Sequence, residues 1–315
     1  MDALSEVLRS FRLRGSFYAA WDLGAPWGLA FRPAKFAPFH YVESGELWLV
    51  TDDGERVQLA AGDMIVLFDG GGHRVADAPD RRGEPIESVL AHQHGTVRRH
   101  GGSGHESRLI CGKFILDERD GITPVLQQLP PLVHIPRARA AELGAFAPTL
   151  DLLARELRSG QPGAERAAAL LTETLFIHVL RVILADGEPG TAGWLEGLRD
   201  PPIGAALAAI HAEPERTWSL ATLARRAGLS RSVFAERFHA RLGLPPMTYI
   251  AQWRLRLAAR WLRETSLSIS EILHRVGYAS PAAFHRAFKR EHGVAPTAYR
   301  ERELRAERPR RRLHG

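Results

Sequence analysis

The spacing of hydrophobic and polar positions changes character twice along this chain of 315 residues. Over 36–68, short apolar segments at 48–50, 57–60 and 64–68 are separated by Ser44-Gly45, Asp53-Gly54 and Gly62-Asp63. Segments this short, at roughly ten-residue spacing and with Asp-Gly as a hairpin turn, predict strands. Many short strands with such turns imply a barrel or jelly roll. Over 148–157 and 163–184 the period lengthens. Leu170, Leu171, Thr174, Leu175, Ile177, His178, Leu180 and Val182 recur at helical spacing between Gly160-Gln-Pro-Gly163 and Gly187-Glu-Pro-Gly190, which predicts helices. Their apolar stripe is wider than one contact needs. It fits either packing on the barrel or a dimer interface, and the second is our expectation. Residues 194–203, with Asp200-Pro-Pro202, read as a hinge.

After the hinge the chain says one thing twice. Leu223-Ala-Arg-Arg-Ala-Gly-Leu229 parallels Ile272-Leu-His-Arg-Val-Gly-Tyr278, apolar positions and Gly in the same order. Six further pairs lie 50 positions apart: Ser230 and Ser280, Phe234 and Phe284, Phe238 and Phe288, Gly243 and Gly293, Pro246 and Pro296, Tyr249 and Tyr299. A repeat of this kind is one small structural unit made twice. The punctuation identifies it as a short helix, a turn at Gly, and a second helix opened by a capping Ser. Each pair of Phe, spaced i, i+4, shares the face turned to the first helix. Arg231, Ser232, Ala235 and Glu236 are left on the other face of the first copy. Ala282, His285, Arg286 and Lys289 are left on that of the second.

Charge sharpens the picture. Residues 217–315 hold 20 Arg and Lys against 7 Asp and Glu, a net of +13, whereas the whole chain is only +6, so residues 1–216 carry −7. The positive charge is confined to the repeat and its Arg308-Pro-Arg-Arg-Arg312 tail, the footprint of a polyanion partner. Composition excludes other classes. A single Cys rules out an internal disulfide framework. We see no stretch of membrane-span length and no signal peptide at the start, and expect a cytoplasmic protein with no membrane partner.

The stretch Val276-Gly-Tyr-Ala-Ser-Pro-Ala-Ala-Phe-His-Arg-Ala-Phe-Lys-Arg-Glu-His-Gly-Val-Ala-Pro-Thr-Ala-Tyr-Arg300, within a span of about 218–300, resembles the DNA-binding domain of AraC/XylS-type transcription regulators. The resemblance implies two helix-turn-helix motifs joined by a long helix, about 246–263, which places both recognition helices in successive major grooves of double-stranded DNA. It puts Arg231, Ser232, Ala235, Glu236, Ala282, His285 and Arg286 at base-reading positions. Arg286 is the candidate for a bidentate guanine contact. Lys289, Arg290 and Arg231 could equally meet phosphates, which position without specifying.

The front of the chain, over about 17–135, resembles the cupin-type sensor domain of the same regulators. The motifs are Phe39-His-Tyr-Val-Glu-Ser-Gly-Glu-Leu47, Leu59-Ala-Ala-Gly-Asp-Met-Ile-Val-Leu67 and Gly70-Gly-Gly-His73. An enzymatic cupin presents two His one residue apart, a Glu and a third His. Only His40, Glu43 and His73 stand here, so we expect a cavity that binds a small-molecule effector through them. No catalytic residue, metal or cofactor is expected. A metal-dependent cupin enzyme fused to a DNA-binding domain is the alternative. His73, His92, His94, His100, His105 and Cys111 also lie within forty residues, but at no compact zinc spacing, and read as a glycine-rich loop and a buried thiol.

The expected fold class is therefore α+β. Residues 1–135 form a β-barrel sensor of cupin or jelly-roll type and 136–199 a helical linker for dimerisation. Residues 200–303 form an all-α domain with two helix-turn-helix motifs, and 304–315 a basic tail. By resemblance, the partners are DNA, the effector, RNA polymerase and a second copy of the chain.

Overall fold

A computed structural model describes residues 3–8, 13–116, 129–186 and 193–307. The Gly187-Glu-Pro-Gly190 break and the Arg308–Arg312 basic run lie outside the described residues. The chain divides into two compact units, one of residues 13–116 with 129–186, the other of residues 3–8 with 193–307.

The first unit is the strand-rich one. Its strands are β1 (Leu13–Gly24), β2 (Gly28–Phe31), β3 (Ala37–Ser44), β4 (Glu46–Thr51), β5 (Arg56–Ala60), β6 (Met64–Leu67), β7 (His73–Ala76), β8 (Glu84–Pro85), β9 (Val97–Gly101), β10 (Glu106–Leu116) and β11 (Leu132–Ile135). The three segments expected from the pattern fall in β4, β5 and β6. The turns before β5 and β6 place Gly54 and Gly62 at φ of +97° and +96°, where a side chain would be strained. The strands form two sheets, β11-β6-β3-β10-β1-β9 and β5-β4-β7-β2-β8, rather than one closed barrel. One apolar core, with Trp21, Val42 and Leu109 from the first sheet and Leu29, Leu49 and Val75 from the second, fills the space between them. Each such side chain contributes about 1.5–3 kcal/mol by leaving water.

Four helices belong to this unit: α2 (Ile86–Ala91), α3 (Arg137–Glu142), α4 (Phe146–Ser159) and α5 (Ala164–Asp186). The expected interface stripe lies on α5, which packs against α4, β1 and β10. Leu175 and Val179, at its centre, are 0% exposed. They are core of their own unit, and their burial leaves them no surface to offer a second copy. The helix approaches β1 so closely that a Cβ on Gly15 would stand 2.6 Å from Thr172 Cβ. By length and composition α5 is apolar enough to cross a membrane, against our expectation from the sequence, and half of that window is buried inside the protein.

The second unit is helical. It contains α1 (Ala3–Leu8), α6 (Trp194–Arg199), α7 (Pro201–Ala212), α8 (Leu220–Arg226), α9 (Arg231–Leu242), α10 (Pro246–Glu264), α11 (Ile269–Arg275), α12 (Pro281–His292) and α13 (Pro296–Glu307). The expected hinge is instead two packed helices. Asp200 caps α7 by accepting from the Ile203 N–H, and the two prolines read as flexible punctuation occupy the first helical turn, which needs no N–H from them.

Candidate nucleic-acid interface and sensor site

The two helix-turn-helix copies are built alike, from local signals. In the first, α8 leads through Gly228 at φ +67° to Ser230, whose side chain accepts from the Val233 N–H and starts α9, and α9 ends at left-handed Gly243. In the second, α11 leads through Gly277 at φ +77° to Ser280, which accepts from Ala283 N–H and starts α12, ending at left-handed Gly293. Such caps satisfy backbone groups that a helix end leaves unpaired. Phe234, Phe238, Phe284 and Phe288 are each 0% exposed, so both recognition helices are fixed by the same buried pair. Tyr249 packs on Phe238, and Tyr299 on Phe288, edge to face. Helix α10 joins the copies.

The outward faces are where the sequence put them. Arg231, Ser232, Glu236, Ala282, Arg286 and Lys289 are exposed, and Ala235 and His285 half-buried. The spacing i, i+4 for 231, 235 and 232, 236, and i, i+4, i+7 for 282, 286, 289, keeps each set on one face. Val233, a large apolar side chain left exposed beside them, was missed. It stands one position before the Phe face, and an apolar side chain there suits a thymine methyl.

The basic residues of α9 divide by what they touch. Arg237 donates to Asp200 at 2.6 Å, and Arg241 reaches Asp200 at 3.3 Å and Glu196 at 3.2 Å. Both carboxylates are buried, with side chains 1% and 7% exposed. These two arginines anchor α9 on α6 and α7. Sequence reasoning missed the cluster because its members lie about 40 positions apart.

In the strand-rich unit, His40 on β3 of one sheet and His73 on β7 of the other meet at 2.8 Å, Nε2 to Nε2. Both are buried. His40 Nδ1 lies 3.1 Å from Cys111 Sγ on the neighbouring β10, and His73 Nδ1 lies 2.9 Å from the Gly71 carbonyl. Phe31 stacks on His73 and stands edge-on to His40. Burial pulls both imidazoles below their ordinary pKa, with His73 adding to the effect on His40, and pushes the Cys111 thiol up. All three groups are therefore neutral, which fixes the protons. A carbonyl only accepts, so His73 Nδ1 carries a hydrogen and its Nε2 is bare. His40 Nε2–H then donates to it, and Cys111 S–H donates to the bare His40 Nδ1.

Glu43 does not join them. Side chains alternate along a strand, and three positions separate it from His40, so it faces the other way. There it accepts from Arg158 of α4, which also donates to Asp22 at 2.8 Å. Tyr41, on the same side, reaches Asp151 of α4. The remaining histidines do not converge: among the described residues no group of three His, Cys, Asp or Glu could hold a metal. His100 approaches only Glu84, at 3.9 Å.

Comparisons with known proteins agree with both halves. Residues 2–185 match a family described as cupin, and residues 223–302 one described as helix-turn-helix domain. An AraC-like transcription regulator of Streptomyces lividans is 34% identical over 96% of this chain and 98% of its own length. One of Streptomyces antibioticus is 33% identical over 96% and 100%. The HTH-type transcriptional regulator AlkR of Acinetobacter baylyi is 29% identical over 96% and 99%. Two capped helix-turn-helix copies on one joining helix, behind a two-sheet cupin domain and with such relatives along nearly the whole length, place the chain in the AraC family of DNA-binding transcription regulators.

Proposed function

We propose that the strand-rich unit senses a small organic effector and that its occupancy biases how the helical unit engages DNA, making the protein a ligand-controlled transcription regulator of the cytoplasm rather than an enzyme. The observation that carries this reading is the hydrogen-bonded chain Cys111, His40, His73, Gly71 inside an otherwise apolar core. Buried polar groups are costly unless each is satisfied. The chain ends at the Gly71 carbonyl, and Gly71 and Gly72 border a cavity of about 240 Å³ whose other walls include Asp52, Asp53, Glu55 and Asp69; neither His40 nor His73 lines it, against the expectation of a cavity anchored by both. An effector placed there meets the chain at its Gly71 end, as ligand pockets use a few placed polar groups. Arg231, Ser232, Ala235, Glu236, Ala282, His285, Arg286 and Lys289 form the reading face, with RNA polymerase and a second copy as further partners.

The test uses linkage. A compound that changes operator affinity by some factor must have its own affinity changed by the same factor when operator DNA is bound. His40→Ala and His73→Ala should each abolish that coupling and leave basal operator binding near normal. Stoichiometric metal in the native protein, lost in both variants together with the response, would overturn the reading in favour of a metal site.

A further inference from the structure

A cleft of the helical unit lies away from the reading faces, at the joint between the two helix-turn-helix copies. It measures about 620 Å³, within the range of sites for small organic ligands. Its walls come from three places: the end of α7 and the loop to α8, which belong to the first copy; the middle of α10; and the end of α11, which belongs to the second. A molecule seated there touches both copies at once.

The lining is aromatic and basic. His211 lies flat on Trp253, ring centroids 4.0 Å apart and 3° from parallel, and Trp261 lies along the same wall. Arg275, exposed, and Arg260, which is paired with Glu264, supply positive charge against the single carboxylate of Glu215. Two nitrogens of the stack, His211 Nδ1 and Trp253 Nε1, are buried without a hydrogen-bond partner. Buried polar atoms of native structures are nearly always paired.

The joint has a further property. Arg254, on α10 between the aromatic residues, donates to the Pro214 carbonyl at 2.8 Å, the Arg216 carbonyl at 2.7 Å and the Gly277 carbonyl at 3.1 Å. One guanidinium thus ties the loop of the first copy to the turn of the second. Pro214 and Glu215 of that loop also line the cleft.

We propose that this cleft is a ligand site of the DNA-binding unit, taking a flat organic anion of the aromatic carboxylate class, and that its occupancy alters how the two copies are held relative to each other. The ring lies along Trp253 and Trp261, and the carboxylate pairs with Arg275. Such a ligand acts on DNA sites that engage both copies and leaves contact by either copy alone unchanged.

The experiment uses the full chain with 2-naphthoate as probe and 2-naphthylmethanol as its neutral counterpart. Calorimetry should show saturable binding of 2-naphthoate, and Arg275→Gln should weaken it by about 10-fold or more, the worth of one charge-assisted hydrogen bond. Trp261→Leu should weaken it as well, while His40→Ala in the other unit should not. Saturating probe should change affinity for DNA carrying both half-sites and not for DNA carrying one. Absence of saturable binding up to about 10 mM, where the binding free energy is below about 3 kcal/mol, would overturn the proposal. So would equal binding of the alcohol, or binding indifferent to both cleft substitutions. Binding at the cleft with unchanged affinity for two-half-site DNA would overturn the regulatory part.

Discussion

The two helix-turn-helix copies share a core and differ in how their charge is used. Phe234 and Phe238 have their counterparts in Phe284 and Phe288, and all four are fully buried. Fifty positions after Arg237 and Arg241, however, stand Ala287 and Glu291. The first copy commits two guanidinium groups to the buried carboxylates of Asp200 and Glu196. The second keeps Arg286, Lys289 and Arg290 exposed. Duplication preserves what the fold needs, because a Phe cannot leave a packed core cheaply, and releases the surface to diverge. On its second helix the first copy uses two of its three arginines for anchoring and leaves Arg231 exposed, whereas the second copy leaves all three of its cations exposed.

The largest effects should be equal in the two copies. Phe238→Ala and Phe288→Ala each empty a buried aromatic site and should destabilise the protein by about 3–5 kcal/mol, read as a fall in denaturation midpoint. If one is tolerated and the other is not, the copies do not share a core in energetic terms.

Charge removal should separate them. Arg237→Ala with Arg241→Ala leaves the Asp200 carboxylate, 1% exposed, without either cation, and loss of a buried charge's partners costs about 3–5 kcal/mol. Lys289→Ala with Arg290→Ala, on exposed positions, should shift stability by no more than about 0.5 kcal/mol and yet weaken DNA binding. Unchanged stability in the first double variant would show that Asp200 is satisfied by its Ile203 N–H bond alone.

How far the sequence was readable follows from the range of the interactions. Ser caps, left-handed Gly and i, i+4 Phe pairs are local, so both copies and their outward faces could be placed from spacing alone. The Asp200 cluster joins residues far apart in the chain, and no local pattern marks it. His40 and Cys111 are 71 positions apart and meet only through the β3–β10 register. For α5 the pattern showed that a wide face is covered without showing by what, and the covering turned out to be β1, β10 and α4. Glu43 is the opposite case. Strand alternation sets it against His40, a signal present in the sequence and outweighed by the cupin motif.

Specificity should rest more on the second copy. Arg286→Ala should cost about 1–3 kcal/mol on the cognate site and relax preference at one base pair, whereas Lys289→Ala should weaken all sequences alike and lower the salt slope by about 1. Site selection with each variant decides. An unchanged consensus for the Arg286 variant would move base reading to Val233 and its neighbours in the first copy.

The smallest difference lies in the equivalent tyrosines. Tyr249 pairs its hydroxyl with His211 Nε2 at 2.7 Å, whereas Tyr299 accepts from Arg263 at 2.8 Å. A guanidinium stays charged across the accessible pH range. His211, desolvated by burial and facing Arg256, is held down to about 3 from its ordinary 6.5. A histidine with a depressed folded pKa binds its proton more readily in the unfolded chain, so stability is full above about 6.5 and falls as pH drops toward 3. One pH unit below 6.5 the loss is on the order of 1 kcal/mol. His292, beside Phe288 in the second copy, is pushed the same way by burial, but it is partly exposed, so solvent screening leaves it the smaller share. Hydrogen exchange of the full chain at pH 7 and 5.5, corrected for intrinsic rates, should therefore show protection lost more from α9 than from α12. His211→Gln should remove most of the difference. Equal loss in both helices, or a response unaltered by His211→Gln, would show that the anchoring of the first copy is not what acid undoes.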